Sequence, residues 1–107
     1  MNSFSVRITE FALGDLEEGS HFYDRQEMGL GDYFYDTLIA EIESLQWLGG
    51  IHSHQKTLYK ALSKRFPYTI YYTLKETQIC VIAVLDQRRN PMHRYALLQK
   101  RTGEDHV

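Results

Sequence analysis

A cluster of basic and aromatic side chains near the C-terminus is the part of this sequence best equipped for chemistry. It comprises Arg88, Arg89, His93, Arg94 and Tyr95. Metal-free cleavage of RNA needs a group that takes the 2′-hydroxyl proton, a group that protonates the leaving 5′ oxygen, and cations for the charged transition state. Histidine, tyrosine and arginine can fill these roles. Basic residues with interleaved aromatics are also common in surfaces that only bind, so this cluster alone does not establish catalysis.

Further cations lie upstream, in a stretch that also carries several tyrosines. Arginine presents a planar fork to phosphate oxygens, lysine presents a point charge, and tyrosine offers a surface on which a base can stack. A sheet face with these residues would suit a phosphate group or an acidic partner. The candidate catalytic residues are Arg88, Arg89, His93 and Tyr95, and the candidate phosphate- or target-binding residues are Lys60, Lys64, Arg65 and Arg94.

The sequence predicts no metal site and no cofactor. His52 and His54 would face the same way on an extended chain, but no third ligand follows nearby. The single cysteine, Cys80, lies within an apolar run and is interpreted as a small core residue. There is no glycine-rich phosphate loop before a helix, no G-x-S-x-G and no H-E-x-x-H.

Composition and charge set the broad class. The chain has 107 residues, of which 43% are hydrophobic, which is typical of one globular domain spanning residues 1–107. It has no apolar run of membrane-spanning length and no secretory signal, which predicts a soluble cytoplasmic protein. Residues 1–50 carry a net charge of −8 and residues 51–107 carry +6, so two electrostatically different faces are expected.

A predicted β-hairpin holds the basic cluster. Residues 66–75 and 79–85 are rich in β-branched and aromatic residues and are joined by a short polar link, Glu76-Thr77-Gln78. Ile79 to Leu85 is apolar at every position, which indicates a strand covered on both faces and therefore central in its sheet. The loop that leaves such a strand is a common place for functional side chains.

The other elements are predicted from periodicity and capping. Thr9 is a plausible N-cap, Gly29 and Gly31 separate two amphipathic helices, and Pro91 suits the first turn of a last helix. The short link between the first two helices predicts an antiparallel helical hairpin. The predicted elements are a strand at 4–8, helices at about 10–27 and 31–48, a loop at 49–57, a strand at 58–65, the hairpin, a short helix at 92–100 and a frayed tail at 102–107. The order β-α-α-β-β-β, with an antiparallel sheet packed on the helical hairpin and a short C-terminal helix, belongs to the α+β class.

Three local motifs and the order of elements resemble the RelE/ParE superfamily, the small toxins of type II toxin–antitoxin modules. The motifs are Phe11-Ala12-Leu13-Gly14-Asp15-Leu16, residues 62–72 (LSKRFPYTIYY), and residues 84–91 (VLDQRRNP). The resemblance extends from about Phe4 to Arg94 and slightly favours the ParE-like branch. It implies a toxin that arrests growth when its cognate antitoxin protein is absent, with a homodimer or a toxin–antitoxin hetero-oligomer as the expected assembly.

The resemblance leaves the target open. ParE-like members inhibit DNA gyrase, whereas RelE-like members are metal-independent endoribonucleases that cut mRNA in the ribosome, and a non-toxic antitoxin-binding relative is the third alternative. By resemblance, Arg88 or Arg89 corresponds to an arginine at the end of the last strand, and Tyr95 or His93 corresponds to a C-terminal catalytic group. Thr69 stands where RelE-like members carry a further arginine. That difference, the long helical hairpin and the slightly acidic net charge favour gyrase over RNA.

Overall fold

The fold is α+β, as predicted, with one sheet between a helical hairpin and a C-terminal helix. A computed structural model describes residues 3–103. In chain order the elements are β1 Ser5–Ile8, α1 Glu10–Gln26, α2 Leu30–Glu43, α3 Leu45–Leu48, β2 Ser53–Gln55, β3 Leu58–Leu62, β4 Tyr68–Lys75, β5 Gln78–Asp86 and α4 Pro91–Thr102. The strand order across the sheet is β1-β5-β4-β3-β2. No helix within residues 3–103 is long and apolar enough to cross a membrane.

The predicted hairpin of β4 and β5 is confirmed. Its two-residue turn places Glu76 in the left-handed region, at φ 58°. β5 is central, because it pairs with β4 on one side and with β1 on the other. Its uninterrupted apolar sequence is explained by cover on both faces, from the helical hairpin on one and from α4 on the other. The register shifts by one residue between Tyr71 and Tyr72, and Ile82 is the extra residue of the resulting β-bulge.

Two features of the predicted sheet are wrong. First, the sheet is mixed, because β1 pairs with β5 in the parallel direction. No turn joins β1 to its neighbour, so no local signal in the sequence set its direction. Second, the predicted loop at 49–57 contains β2, which pairs with β3 and turns at Lys56, at φ 57°. All three residues of β2 are exposed, so β2 has no apolar alternation by which it could be recognised.

The helix ends are also revised. The predicted helix at 31–48 divides at Ser44, whose hydroxyl donates to the Glu41 carbonyl over 2.6 Å, into α2 and the short α3. The last helix continues to Thr102, two residues beyond its predicted end, and closes on Gly103 at φ 71°. The predicted frayed tail therefore begins inside α4, and its residues 104–107 lie outside the described part of the chain.

The two faces of the sheet carry separate apolar clusters. On one face α1 and α2 pack their apolar stripes against side chains such as Ile70, Tyr72 and Val81. On the other face Leu98 of α4 packs against Tyr71 and its neighbours. The central strands are thus held from both sides, and they present fixed side chains to α4.

The helical hairpin packs closely at Gly31. The Gly31 amide donates to Asp24 Oδ1 over 2.7 Å, and a Cβ at this position would lie 2.3 Å from the Ser20 carbonyl oxygen. Gly31 therefore allows the backbones of α1 and α2 to touch. The start of α2 lies beside the end of α1, and Phe34 lies beside Gly19 one turn back, which confirms the predicted antiparallel arrangement.

Candidate target-binding groove

A groove between α4 and the outer face of β3 and β4 is the site that the fold builds from the predicted residues. Its volume is about 250 Å³. The floor is apolar, with Leu58, Tyr71 and Leu98. Pro91 adds a further apolar side chain, and the remaining lining is polar or basic and consists of Gln55, Lys56, Lys60, Arg94, Tyr95, Gln99 and Thr102. No carboxylate lines the groove within the described residues 3–103.

The positions of these residues follow from the periods of strand and helix. On β3, Tyr59 and Ala61 pack towards the helical hairpin, so Leu58 and Lys60 face the groove. In α4, Leu98 follows Arg94 by four residues and Tyr95 by three, and these spacings bring both side chains to the helix face around Leu98. α4 begins where Asn90 Oδ1 accepts from the Met92 amide over 2.9 Å, with Pro91 in the first turn as predicted.

Hydrogen bonds hold two groups of the groove in place. Arg94 Nη1 donates to Tyr71 Oη over 3.1 Å, and its Nε reaches the Arg89 carbonyl oxygen over 3.4 Å. Tyr95 Oη accepts from Gln99 Nε2 over 2.9 Å, and the Tyr95 side chain is largely exposed. With three cations and no acidic lining residue, the groove is suited to carboxylate or phosphate groups whose carrier also has apolar surface.

The structure brings together three of the eight predicted site residues, namely Lys60, Arg94 and Tyr95. It adds Lys56, which sequence reasoning placed in a plain loop. Lys56 lies in the turn between β2 and β3, and its position beside Lys60 could not be inferred because β2 was not recognised as a strand. Gln99 was also missed, although it lies one turn after Tyr95 and its role follows from helical spacing.

Arg88 and Arg89 project away from the groove. Arg88 forms a two-pronged ion pair with Asp86, with Nε–Oδ1 and Nη2–Oδ2 distances of 2.9 and 2.8 Å. The hydrogen bonds from Arg88 lower the pKa of Asp86, so this carboxylate stays charged at neutral pH. Arg89 Nη2 lies 3.7 Å from Glu18 Oε1. Both arginines therefore already face carboxylates near the end of β5.

A second cavity, of about 240 Å³, lies between α1 and the end of β5. Arg89 lines it together with Glu18 and Tyr68. Burial raises the pKa of Tyr68 to about 12, so its hydroxyl is protonated at neutral pH and can act as a hydrogen-bond donor but not as a base. This cavity carries charges of both signs and is less suited than the groove to an anionic ligand.

The remaining predicted residues lie outside both cavities. Arg65 Nη1 donates to Tyr33 Oη over 2.9 Å, and the Lys64 amide donates to Glu41 Oε2 over 3.0 Å, which places both residues on the β3–β4 turn beside α2. His93 is exposed in the first turn of α4. Thr69 is buried within β4.

The two loop histidines have separate hydrogen-bond partners. His52 Nδ1 lies 2.7 Å from Tyr72 Oη, which also accepts from the Gly50 amide over 2.9 Å. His54 Nδ1 lies 3.1 Å from the Lys56 carbonyl oxygen. No group of three or more His, Cys, Asp or Glu side chains that could hold a metal occurs in the part of the chain from 3 to 103. His52 thus fastens the segment that leads into β2, and His54, within β2, contacts the turn that follows it.

The burial of His52 predicts that the domain loses stability in mild acid. Burial lowers the pKa of His52 from 6.5, so the unfolded chain binds a proton more readily than the folded one. The contribution of neutral His52 to the free energy of unfolding is therefore fully present above about pH 6.5. It declines as the pH falls from there towards the pKa of His52 in the folded protein. Urea unfolding at about pH 7.5 and 5.5 measures this loss of free energy of unfolding, and His52→Gln should make the free energy of unfolding less dependent on pH. An equal loss in both proteins would contradict this role for His52.

Comparisons with known proteins give a structural match alone. No protein-family model matches the sequence, and a search of curated proteins finds no match. Among solved structures, a chain described as "Chromosomal ParDE TA system from P. aeruginosa" superposes with a TM-score of 0.70 at 16% sequence identity. The match covers 77% of this chain and 94% of that chain. The chain therefore shares its fold with a chain of a ParDE system, and the resemblance that the sequence motifs indicated is confirmed at the level of the fold.

Proposed function

We propose that this chain is the toxin of a type II toxin–antitoxin module and arrests growth in the cytoplasm when its cognate antitoxin is absent. The observation that carries the proposal is the fold shared with a chain of a ParDE system, across nearly the whole of that chain. The three motifs of residues 11–16, 62–72 and 84–91 support it independently, because they occur in the order of the superfamily.

DNA gyrase is the target that the site geometry favours. A nuclease of the RelE type would need its arginines free to stabilise charge, whereas Arg88 and Arg89 face Asp86 and Glu18. Thr69 supplies no cation, and Tyr95 Oη is bound to Gln99. The groove with Lys60 and Arg94 then serves as a docking surface for the target, without chemistry of its own.

Ribosome-dependent mRNA cleavage is the second candidate, and one observation favours it. Lys60, Arg94 and Tyr95 converge on one groove that carries no acidic lining residue among residues 3–103 and that has an apolar floor. Such a groove could hold a phosphate and stack a base. In that case Tyr95 would be the proton-transfer group and the chain would be an enzyme.

Induction of the chain in cells, with and without the product of the neighbouring gene, tests the proposed function. Growth arrest that the neighbouring protein relieves, together with loss of supercoiling by purified gyrase, is the expected result. Codon-spaced cuts mapped by primer extension in a ribosome-programmed extract would transfer the assignment to the nuclease. Normal growth after induction, with the folded protein present in the cells, would contradict the toxin proposal.

A further inference from the structure

The edge of β5 that faces β1 continues beyond the end of β1. The pairing of β1 with β5 stops at Val81, and within the described residues 3–103 no strand lies beside the following residues of β5 on that edge. There the backbone groups of β5 form hydrogen bonds with side chains from near the two ends of the chain. Asp15 Oδ2 accepts from the Val84 amide over 2.9 Å, and Arg101 Nη1 donates to the carbonyl oxygen of the bulge residue Ile82 over 3.1 Å.

These two side chains also form an ion pair. Arg101 Nη1 lies 2.6 Å from Asp15 Oδ2, and Nη2 lies 2.9 Å from Asp15 Oδ1. Their side chains are only 11% and 9% exposed. The Phe11 ring lies over the guanidinium, at 5.2 Å from the ring centroid, and covers it from solvent. One aspartate and one arginine thus connect α1, β5 and the last turn of α4.

The rest of α4 has few other attachments. Leu98 is its one buried residue, Leu97 is partly buried, and Arg94 reaches Tyr71 from the helix's first half. The last turn is therefore held chiefly by Arg101. Since a short amphipathic helix is marginal in isolation, its position on the sheet depends on such contacts.

We propose that Asp15 and Arg101 are positioning residues that fix α4 on the sheet and so hold Arg94 and Tyr95 at the groove. Neither residue lines the groove. They act through the helix: if α4 leaves the sheet, its groove residues Arg94 and Tyr95 move away from Lys60 on β3. The functional consequence rests on the proposed function, whereas the structural consequence does not depend on it.

Amide hydrogen exchange of the full chain tests the proposal, with Arg101→Met and Asp15→Asn as variants. Lys100→Met is the matched control, because it removes an exposed cation from the same turn and leaves the pair intact. In R101M we expect amides of α4 to exchange within about 10-fold of unstructured rates, while amides of β4 and β5 stay at least about 100-fold slower. K100M should behave as the wild type.

Equal exchange of α4 and β5 amides in every variant would overturn the proposal, because α4 would then open only when the whole domain unfolds. If R101M does not fold, Arg101→Lys replaces it, since a lysine keeps the charge and loses the two-pronged contact. In that variant α4 should still open ahead of the sheet, and joint opening would again overturn the proposal.

Growth arrest supplies the functional readout. If wild-type protein and K100M arrest growth while D15N and R101M, shown to be folded by protection of β4 and β5, do not, the pair positions the groove. Full arrest by R101M with α4 released would overturn its functional part. Absence of arrest by the wild type would contradict the toxin proposal. The exchange experiment would still decide whether the pair fixes α4 on the sheet.

Discussion

Replacing Phe34 by alanine is expected to lower the free energy of unfolding by about 3–5 kcal/mol. Phe34 is fully buried at the centre of an aromatic cluster, with ring centroids 5.1 Å from Tyr23, 5.0 Å from Phe66 and 4.8 Å from Tyr68. Its truncation removes apolar burial and three aromatic contacts, and it leaves a cavity that rigid rings cannot fill. Urea unfolding followed by circular dichroism measures the change.

Phe22→Ala is the matched control for that experiment, because the same side chain is lost from the same helical hairpin. Phe22 is 36% exposed and has one aromatic neighbour, Tyr23, at 5.1 Å. Its loss should cost about 1 kcal/mol. If the two variants lost equal stability, the core would not be centred on Phe34.

If the proposed inhibition of gyrase uses the groove, replacing its strand cation and its helix cation together, Lys60→Glu with Arg94→Glu, is expected to raise the concentration needed for half inhibition roughly 100-fold. The change replaces two cations by two carboxylates in a groove that has no acidic lining residue within the described chain. The groove carboxylates would then repel an acidic surface of the target that the groove cations had attracted. Gyrase supercoiling titrated with purified protein measures the loss.

The charge-matched control is Lys64→Glu with Arg65→Glu, on the β3–β4 turn. It changes the net charge by the same amount, but neither residue lines the groove. A loss of less than about 5-fold is expected, since distant surface charges affect association mainly through the overall field. Equal losses from the two double variants would show that net charge, not the groove, governs inhibition.

Segments of the fold with a clear apolar pattern were predictable, and segments without one were not. The β-branched and aromatic run of β4, the continuous apolar run of β5 and the stripe of α2 each carry a signal that matches one element. β2 is fully exposed and carries none. The direction of β1 depends on a pairing with residues more than 70 positions away, which no local pattern records.

The candidate site was predictable as a set of residue types but not as an arrangement. Arg89 and Arg94 are close in sequence, yet the chain passes from a strand end into a helix between them, and the two side chains point to different cavities. Arg101 was placed beyond the last helix, so its partnership with Asp15 was hidden. The available signal was Asp15 itself, a charged residue on the apolar face of α1 beside Ala12 and Leu16.

The parallel pairing of β1 with β5 has a consequence for synthesis on the ribosome. β1 is the first strand to emerge, but its partner residues, Gln78 to Val81, are among the last quarter to third of the chain. Because chains emerge from the N-terminus, α1 and α2 can pair early, while β1 must wait for β5, and the groove is complete only after α4 has followed. A nascent chain stalled before Gln78 therefore has an acidic helical hairpin but no assembled groove. The interval in which a partner could meet the unfinished domain ends once α4 has left the ribosome.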